Sequence, residues 1–228
     1  MGTGKTERLL ILDTETTGLD PKDSATIEVA CTLFDIDANA AVDTFSALVF
    51  STTNAAEAIN RIPVSLLQQG RSSTDVWPHV MALAKSADAI VAHRAEFDRG
   101  FVPSDLRTLR PWICSKFEIE WPRGEAGAHL VHLALAHGVP VFSAHRALAD
   151  VDTLVRTFQA AAAMTDVRAM LARAMRPRVL VQAMVSYDDR EKAKTAGFAW
   201  DGASKRWTKR VAVEDVGALP FPTREVTE

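Results

Sequence analysis

The chain has 228 residues, 47% hydrophobic and 24% charged, with a formal net charge of −3 at pH 7. That is ordinary soluble composition, and it suits one good-sized domain plus a small second one. No apolar run approaches the ~20 residues needed to cross a bilayer, so a membrane partner is excluded at this level.

The opening Met1-Gly2-Thr3-Gly4-Lys5-Thr6 has no apolar stretch behind its lysine and is not a secretory signal. It fits the loose myristoylation pattern, and also the end of a phosphate-binding loop, but that loop needs a strand before it. A disordered tail is the better reading. Cys31 and Cys114 lie far apart without Cys-x-x-Cys spacing, which suits reduced core thiols of a cytoplasmic protein.

Residues 8–13 form an apolar run ending in acid and read as a buried central strand. Residues 26–35 and 43–50 alternate well enough for two more strands, joined by a polar turn around Asp37-Ala38-Asn39. Short helices are expected over 63–70 and 74–86, then an apolar strand over 89–93 and a helix over 95–107. Residues 111–114 suit a short strand, and 129–137 a helix stopped by Gly138. The last helix of this part runs from about His145 to Met164. Strands alternating with helices predict an α/β sheet covered on both faces, with an antiparallel start. Arg176-Pro177-Arg178 is a natural break. Beyond it a strand, a charged helix over 188–196 ended by Gly197, and two aromatic strand-like pieces predict a β-α-β-β module over 178–222.

Charge is uneven along the chain. Residues 1–164 hold 14 Lys and Arg against 20 Asp and Glu, a net −6, whereas residues 165–228 hold 12 against 9, a net +3. An acidic first part suits carboxylates clustered for metal ions, and a basic tail suits nucleic acid.

Three acidic motifs stand out. Asp13-Thr14-Glu15-Thr16-Thr17-Gly18 closes the first strand, and period-two alternation puts Asp13 and Glu15 on one face. Adjacent carboxylates repel unless a cation lies between them, so the pair is a natural seat for a divalent ion. His93-Arg94-Ala95-Glu96-Phe97-Asp98 follows another apolar strand and sets Asp98 in the first turns of a helix. His145-Arg146-Ala147-Leu148-Ala149-Asp150 opens the last helix. Residues five apart are about 140° apart around a helix, so His145 must sit on the loop before it for both to face one site.

In this order and spacing the motifs resemble the DEDDh, or DnaQ-like, family of 3′–5′ exonucleases over residues 7–165. The runs Arg110-Pro111-Trp112-Ile113-Cys114-Ser115 and Glu120-Trp121-Pro122, with 145–150, are most similar to the exodeoxyribonuclease X branch. The resemblance implies an RNase H-like mixed sheet of about five strands. It also implies two Mg²⁺ or Mn²⁺ ions held by Asp13, Glu15, Asp98 and Asp150, with His145 taking a proton from the attacking water. Thr16, Thr17 and Leu19 would offer backbone donors and an apolar wedge to a terminal nucleotide. His93 and Arg94 would also face substrate, although relatives carry His-Asn where this chain has His93-Arg94.

The implied product is a nucleoside 5′-monophosphate cut from single-stranded or 3′ ends, with DNA favoured over an exoribonuclease alternative. A non-catalytic nucleic-acid adaptor is a weaker reading, since all five catalytic positions are filled. Relatives often dimerise, and a homodimer and a polymerase or repair partner stay open. In the tail, Lys205, Arg206, Lys209 and Arg210 interleave with Trp200 and Trp207. The basic residues suit phosphates and equally a solvated surface, and the tryptophans suit a small core. His129, His132 and His137 read as ordinary helix residues rather than a zinc site.

Overall fold

Leu9, Leu10, Ile11 and Leu12 are all buried, because β1 (Arg8–Thr16) is the middle strand of a five-stranded sheet covered on both faces. The computed structural model describes residues 6–125, 127–202 and 204–226. The tail motifs read on residues 1–5 lie outside them. Antiparallel to β1 runs β2 (Thr26–Asp35), and antiparallel to β2 runs β3 (Ala40–Leu48). On the other side β4 (Ala89–Ala92) is parallel to β1, and β5 (Trp112–Cys114) parallel to β4. The order β3-β2-β1-β4-β5 is the mixed RNase H-like sheet expected, with its antiparallel start.

Alternation along β1 sorts its side chains onto two cores. Short helices α1 (Glu57–Asn60) and α2 (Val64–Leu67) precede α3 (Ser73–Lys85), whose Val76, Val80 and Ala84 pack on Leu10 and Leu12. Next come α4 (Ala95–Phe101), α5 (Ser104–Leu109) and α6 (Leu130–Ala136). The opposite face carries α7 (Ala147–Ala162) and α8 (Val167–Ala174). Their Val151, Leu154, Phe158, Met170 and Leu171 pack on Leu9, Ile11, Phe34 and Val91.

Three expectations need correcting. The helix expected over 95–107 is two helices, because Pro103 disfavours helical backbone at the residue before it, and Val102 is extended at φ −95° and ψ 161°. Helix α1 was not foreseen. Helix α8 was not foreseen either, and it carries the first compact unit past the expected end at 165 to Ala174, since its apolar face completes the α7 side of the core.

The second unit, Met175–Glu228, is a four-stranded antiparallel sheet. Strand β6 (Arg178–Ala183) leads to α9 (Arg190–Thr195), then β7 (Ala199–Asp201), β8 (Arg206–Ala212) and β9 (Thr223–Glu225), in the order β7-β8-β6-β9. The module is therefore one strand larger than the β-α-β-β unit expected over 178–222. Ala193 and Phe198 pack on Val181, Ala183 and Val211 to form its core, which Trp207 joins. Trp200 pairs with Trp207 across strands at 5.6 Å and is 53% exposed, so only one of the two tryptophans is core.

Phe158 is fully buried, with ring centroids 4.8 Å from Trp121 and 6.1 Å from Phe34. Phe158→Ala should cost about 3–5 kcal/mol in urea denaturation. A loss under about 1 kcal/mol would show that the α7 side collapses freely and is not close-packed.

Candidate active site

Asp13 and Glu15 leave β1 on the face that Leu9 and Ile11 bury further down, and so reach the start of α7. Asp150 comes back from the first turn of α7. One carboxylate oxygen from each of Asp13, Glu15 and Asp150 lies within 4.8 Å of the others, the one such group of His, Cys, Asp or Glu among the described residues. Asp98, on α4, is buried beside them but outside that group. Its Oδ1 accepts from the Thr14 N–H at 3.0 Å and the Thr14 hydroxyl at 2.8 Å, so the residue between the two β1 carboxylates anchors the fourth.

His145 is exposed on the loop before α7, with φ at 62°. Its backbone N–H donates to Asp150 Oδ2 at 3.3 Å, which ties the loop to the acidic group. The loop followed by a helix that the spacing of His145 and Asp150 requires is present.

The other expected contacts divide. Leu19 is 78% exposed and suits an apolar wedge. Thr17 is already used: its N–H donates to the Ala25 carbonyl and its hydroxyl accepts the Ala25 N–H, closing the loop 17–25. Thr16 is buried and donates its hydroxyl to the Gly18 carbonyl. Thr16 thus spends its hydroxyl proton, and Thr17 its backbone N–H, inside the loop, while the Thr17 hydroxyl keeps its own proton. His93 is also committed inward. A carbonyl can only accept, so Nε2–H donates to Ala128 O at 3.1 Å and Nδ1 accepts the Ser115 hydroxyl at 2.9 Å. Burial, the largest cause, pushes this imidazole down to about 4. His93 pins the end of β4 to the following loop, with both ring nitrogens occupied. Arg94 is exposed at φ 105°, with its guanidinium 5.7 Å from the Phe97 ring centre.

Glu28 was missed. It pairs with Glu15 in the β1–β2 register and is buried. Its Oε2 accepts from Arg146 Nε at 3.1 Å and from the Ala147 N–H at 3.0 Å, while Oε1 accepts from Arg146 Nη2 at 2.9 Å. This fork clamps the first turn of α7 to β2, with His145 one residue before the clamp and Asp150 three after it. The available signal was a lone acid inside the apolar strand TIEVACTLFD.

Residues 10–158 match a family model described as exonuclease. The chain belongs to this exonuclease family. Its membership of the DnaQ-like 3′–5′ group agrees with the arrangement of Asp13, Glu15 and Asp150. DNA polymerase III PolC-type from Thermotoga maritima is 28% identical over 169 residues, which is 65% of this chain but 11% of that protein. The PolC-type polymerase of Thermotoga petrophila gives the same identity and coverage. A solved structure of exonuclease X with 5′ overhanging duplex DNA is 25% identical, covers 73% of this chain and 99% of its own, and superposes with a TM-score of 0.54. An E. coli ExoI–ssDNA complex in zinc-bound form superposes at 0.58 with 15% identity over 82% of this chain and 50% of its own. At that identity it speaks for the fold alone. Residues 179–226 match a model described as a domain of unknown function.

Electrostatics test whether this exonuclease-family site fits a divalent cation. Burial first, then Asp98, Asp150, Glu15 and Glu28, holds the Asp13 carboxyl well above its usual range. Glu15 is pushed up to about 7 by burial, then by Asp150, Glu28 and Asp98, with Arg146 pulling back. Asp98 also rises to about 7 through burial, against the two bonds from Thr14 that favour its ionised form. Asp150 is raised by burial. Four carboxyls that resist ionisation, with hard oxygen donors converging, are the donor set that a divalent cation takes. The residues fit the group.

Raised folded-state values mean that the folded protein holds more protons than the unfolded chain between about 4 and about 7. The stabilisation is full below the unfolded values and is lost as pH rises through 7. In EDTA, the melting temperature of the wild type should therefore fall more between pH 5 and pH 8 than that of Asp98→Asn, whose amide oxygen still accepts from Thr14. The opposite contribution of His93 is common to both proteins and cancels. Parallel melting curves would show that Asp98 is not held protonated in the metal-free site.

Proposed function

We propose that the chain is a metal-dependent 3′–5′ exonuclease that removes nucleoside 5′-monophosphates one at a time from DNA ends. The convergence of Asp13, Glu15 and Asp150, with His145 on the loop tied to Asp150, carries this reading. Of the similar structures described, the one at 25% identity holds 5′ overhanging duplex DNA, and this favours DNA over RNA. The curated relatives are polymerases of which this chain matches a tenth, so a polymerase or repair partner belongs to the same proposal.

Asp13, Glu15 and Asp150 would hold one Mg²⁺ or Mn²⁺ ion, and Asp98 would serve a second ion or its waters. When bound, such ions offset the carboxylate charge and draw electron density from the oxygens of the scissile phosphate. The chain itself supplies the rest. Leu19 would pack against the terminal base, and Arg94 would meet a phosphate oxygen. Water attacks phosphorus in line: its oxygen forms the new P–O bond, its proton passes to the His145 imidazole, and the P–O3′ bond breaks. The bond electrons stay with the O3′ of the shortened strand, and the 5′-phosphate leaves on the released nucleotide. Imidazole suits the proton step because it accepts and returns a proton near neutral pH.

The test uses single-stranded DNA labelled at its 5′ end, so that 3′–5′ trimming appears as a descending ladder. Asp13→Asn and Asp150→Asn should abolish the ladder while keeping the wild-type fold by circular dichroism, and EDTA should abolish it reversibly. His145→Ala should lose roughly 10²–10⁴-fold in rate. A ladder that persists in EDTA, or an unaffected His145→Ala, would contradict the mechanism.

A further inference from the structure

The basic residues of the second unit lie on a surface that the sequence order conceals. In the registers of β6, β8 and β9, Leu180 pairs with Arg210, and Gln182 pairs with both Thr208 and Arg224. Paired residues share a face, and alternation adds Arg178 on β6 and Arg206 on β8 to it. The other face, with Val181, Ala183 and Val211, is the one that packs on Ala193 and Phe198. Lys209 goes with that core face, where Nζ donates to the Ala196 carbonyl at 2.8 Å and burial lowers its pKa. The run Lys205, Arg206, Lys209, Arg210 is therefore not one cluster.

Arg206, Arg210 and Arg224 are exposed, and Arg178 continues the face, half-buried. Arg206 and Arg210, four residues apart on one strand, are ~13–14 Å apart, and β9 lies two strand spacings, ~10 Å, from β8. Three guanidiniums thus frame Thr208 and Gln182, two side chains able to hydrogen-bond. Among the described residues of the four strands, the carboxylate on this face is Asp201, opposite Arg206, and it accepts from the Ser204 N–H and hydroxyl. Four arginines against one aspartate, among the described residues of these strands, is a polyanion's complement, and planar guanidiniums suit phosphate oxygens in particular. The first unit, by contrast, holds 21 Asp and Glu against 16 Lys and Arg.

We infer that the arginine face of the second unit binds the phosphate backbone of single-stranded DNA, with Arg206, Arg210 and Arg224 as its phosphate contacts. The occupant rests on the exonuclease reading, but the surface does not. A labelled thymidine 20-mer is titrated with the full chain in EDTA across 50–200 mM salt, followed by fluorescence anisotropy. Replacing Arg206, Arg210 and Arg224 together by Ala should weaken binding at least tenfold at 100 mM salt. It should also flatten the log–log salt slope by about two units, since each single-strand phosphate contact contributes ~0.7. Replacing Lys85, Lys192 and Lys194 by Ala removes the same charge elsewhere and should change both far less.

Equal losses in the two triple variants would mean that net charge alone acts, and would overturn the proposal. So would unchanged binding in the arginine variant, or binding of the wild type to anionic vesicles but not to DNA. If the arginine triple fails to fold by circular dichroism, the pair Arg210→Gln and Arg224→Gln is read in its place, against a slope change of about 1.4. Cleavage of a dinucleotide in Mn²⁺ is followed in parallel. Dinucleotide cleavage by the wild type, with 20-mer binding unchanged in the arginine variant, overturns the face alone, whereas arginine-dependent binding without any cleavage overturns the nuclease reading alone.

Discussion

The carboxylates of Asp13, Glu15 and Asp150 repel one another, and burial strips away much of the water that would screen them. Asp98 adds a fourth acid held in place by Thr14. An arrangement of this kind costs stability at neutral pH, and it persists because the surrounding structure leaves the groups no way apart. β1 is fixed on both sides by its neighbours and on both faces by α3 and α7. Its alternation then dictates that Asp13 and Glu15 face α7 while Thr14 turns to Asp98. The strain is concentrated where a divalent cation would relieve it.

What holds Asp150 in the group is less obvious. The first turn of α7 has no side-chain cap at Arg146, yet the N–H of Ala147 is satisfied by Glu28, which also receives Arg146. One buried glutamate thereby secures a helix terminus and neutralises an arginine next to the acidic group. Removing it would leave a guanidinium and a backbone donor without their partner, a cost larger than that of an exposed ion pair. The same clamp determines where the His145 loop meets α7.

The catalytic candidates were legible because their signals are local. Asp13 and Glu15 end an apolar strand, and the spacing of His145 and Asp150 demanded a loop followed by a helix, which the structure has. Signals that depend on distant pairing were not legible. Glu28 is meaningful only beside Glu15 and Arg146, 13 and 118 residues away. Thr17 and His93 looked available until tertiary bonds to Ala25, Ser115 and Ala128 claimed them. In the second unit, neighbours in sequence such as Lys209 and Arg210 fall on opposite faces, while Arg210 and Arg224 share one through the register of β6. Strand pairing decides this, and short-range patterns do not carry it.

Calorimetric titration of the metal-free protein with Mn²⁺ at pH 6.5, in two buffers of different ionisation enthalpy, tests the central claim most directly. If the acidic group is held partly protonated until a cation arrives, binding must release protons, and the apparent enthalpy will differ between the buffers by that number times the difference in ionisation enthalpy. The account predicts a net release at pH 6.5 that shrinks toward zero by pH 8.5 and disappears in Asp13→Asn. Tight Mn²⁺ binding with no proton release at pH 6.5 would contradict it, because the carboxylates would then already be ionised and the site would carry no strain for the cation to relieve.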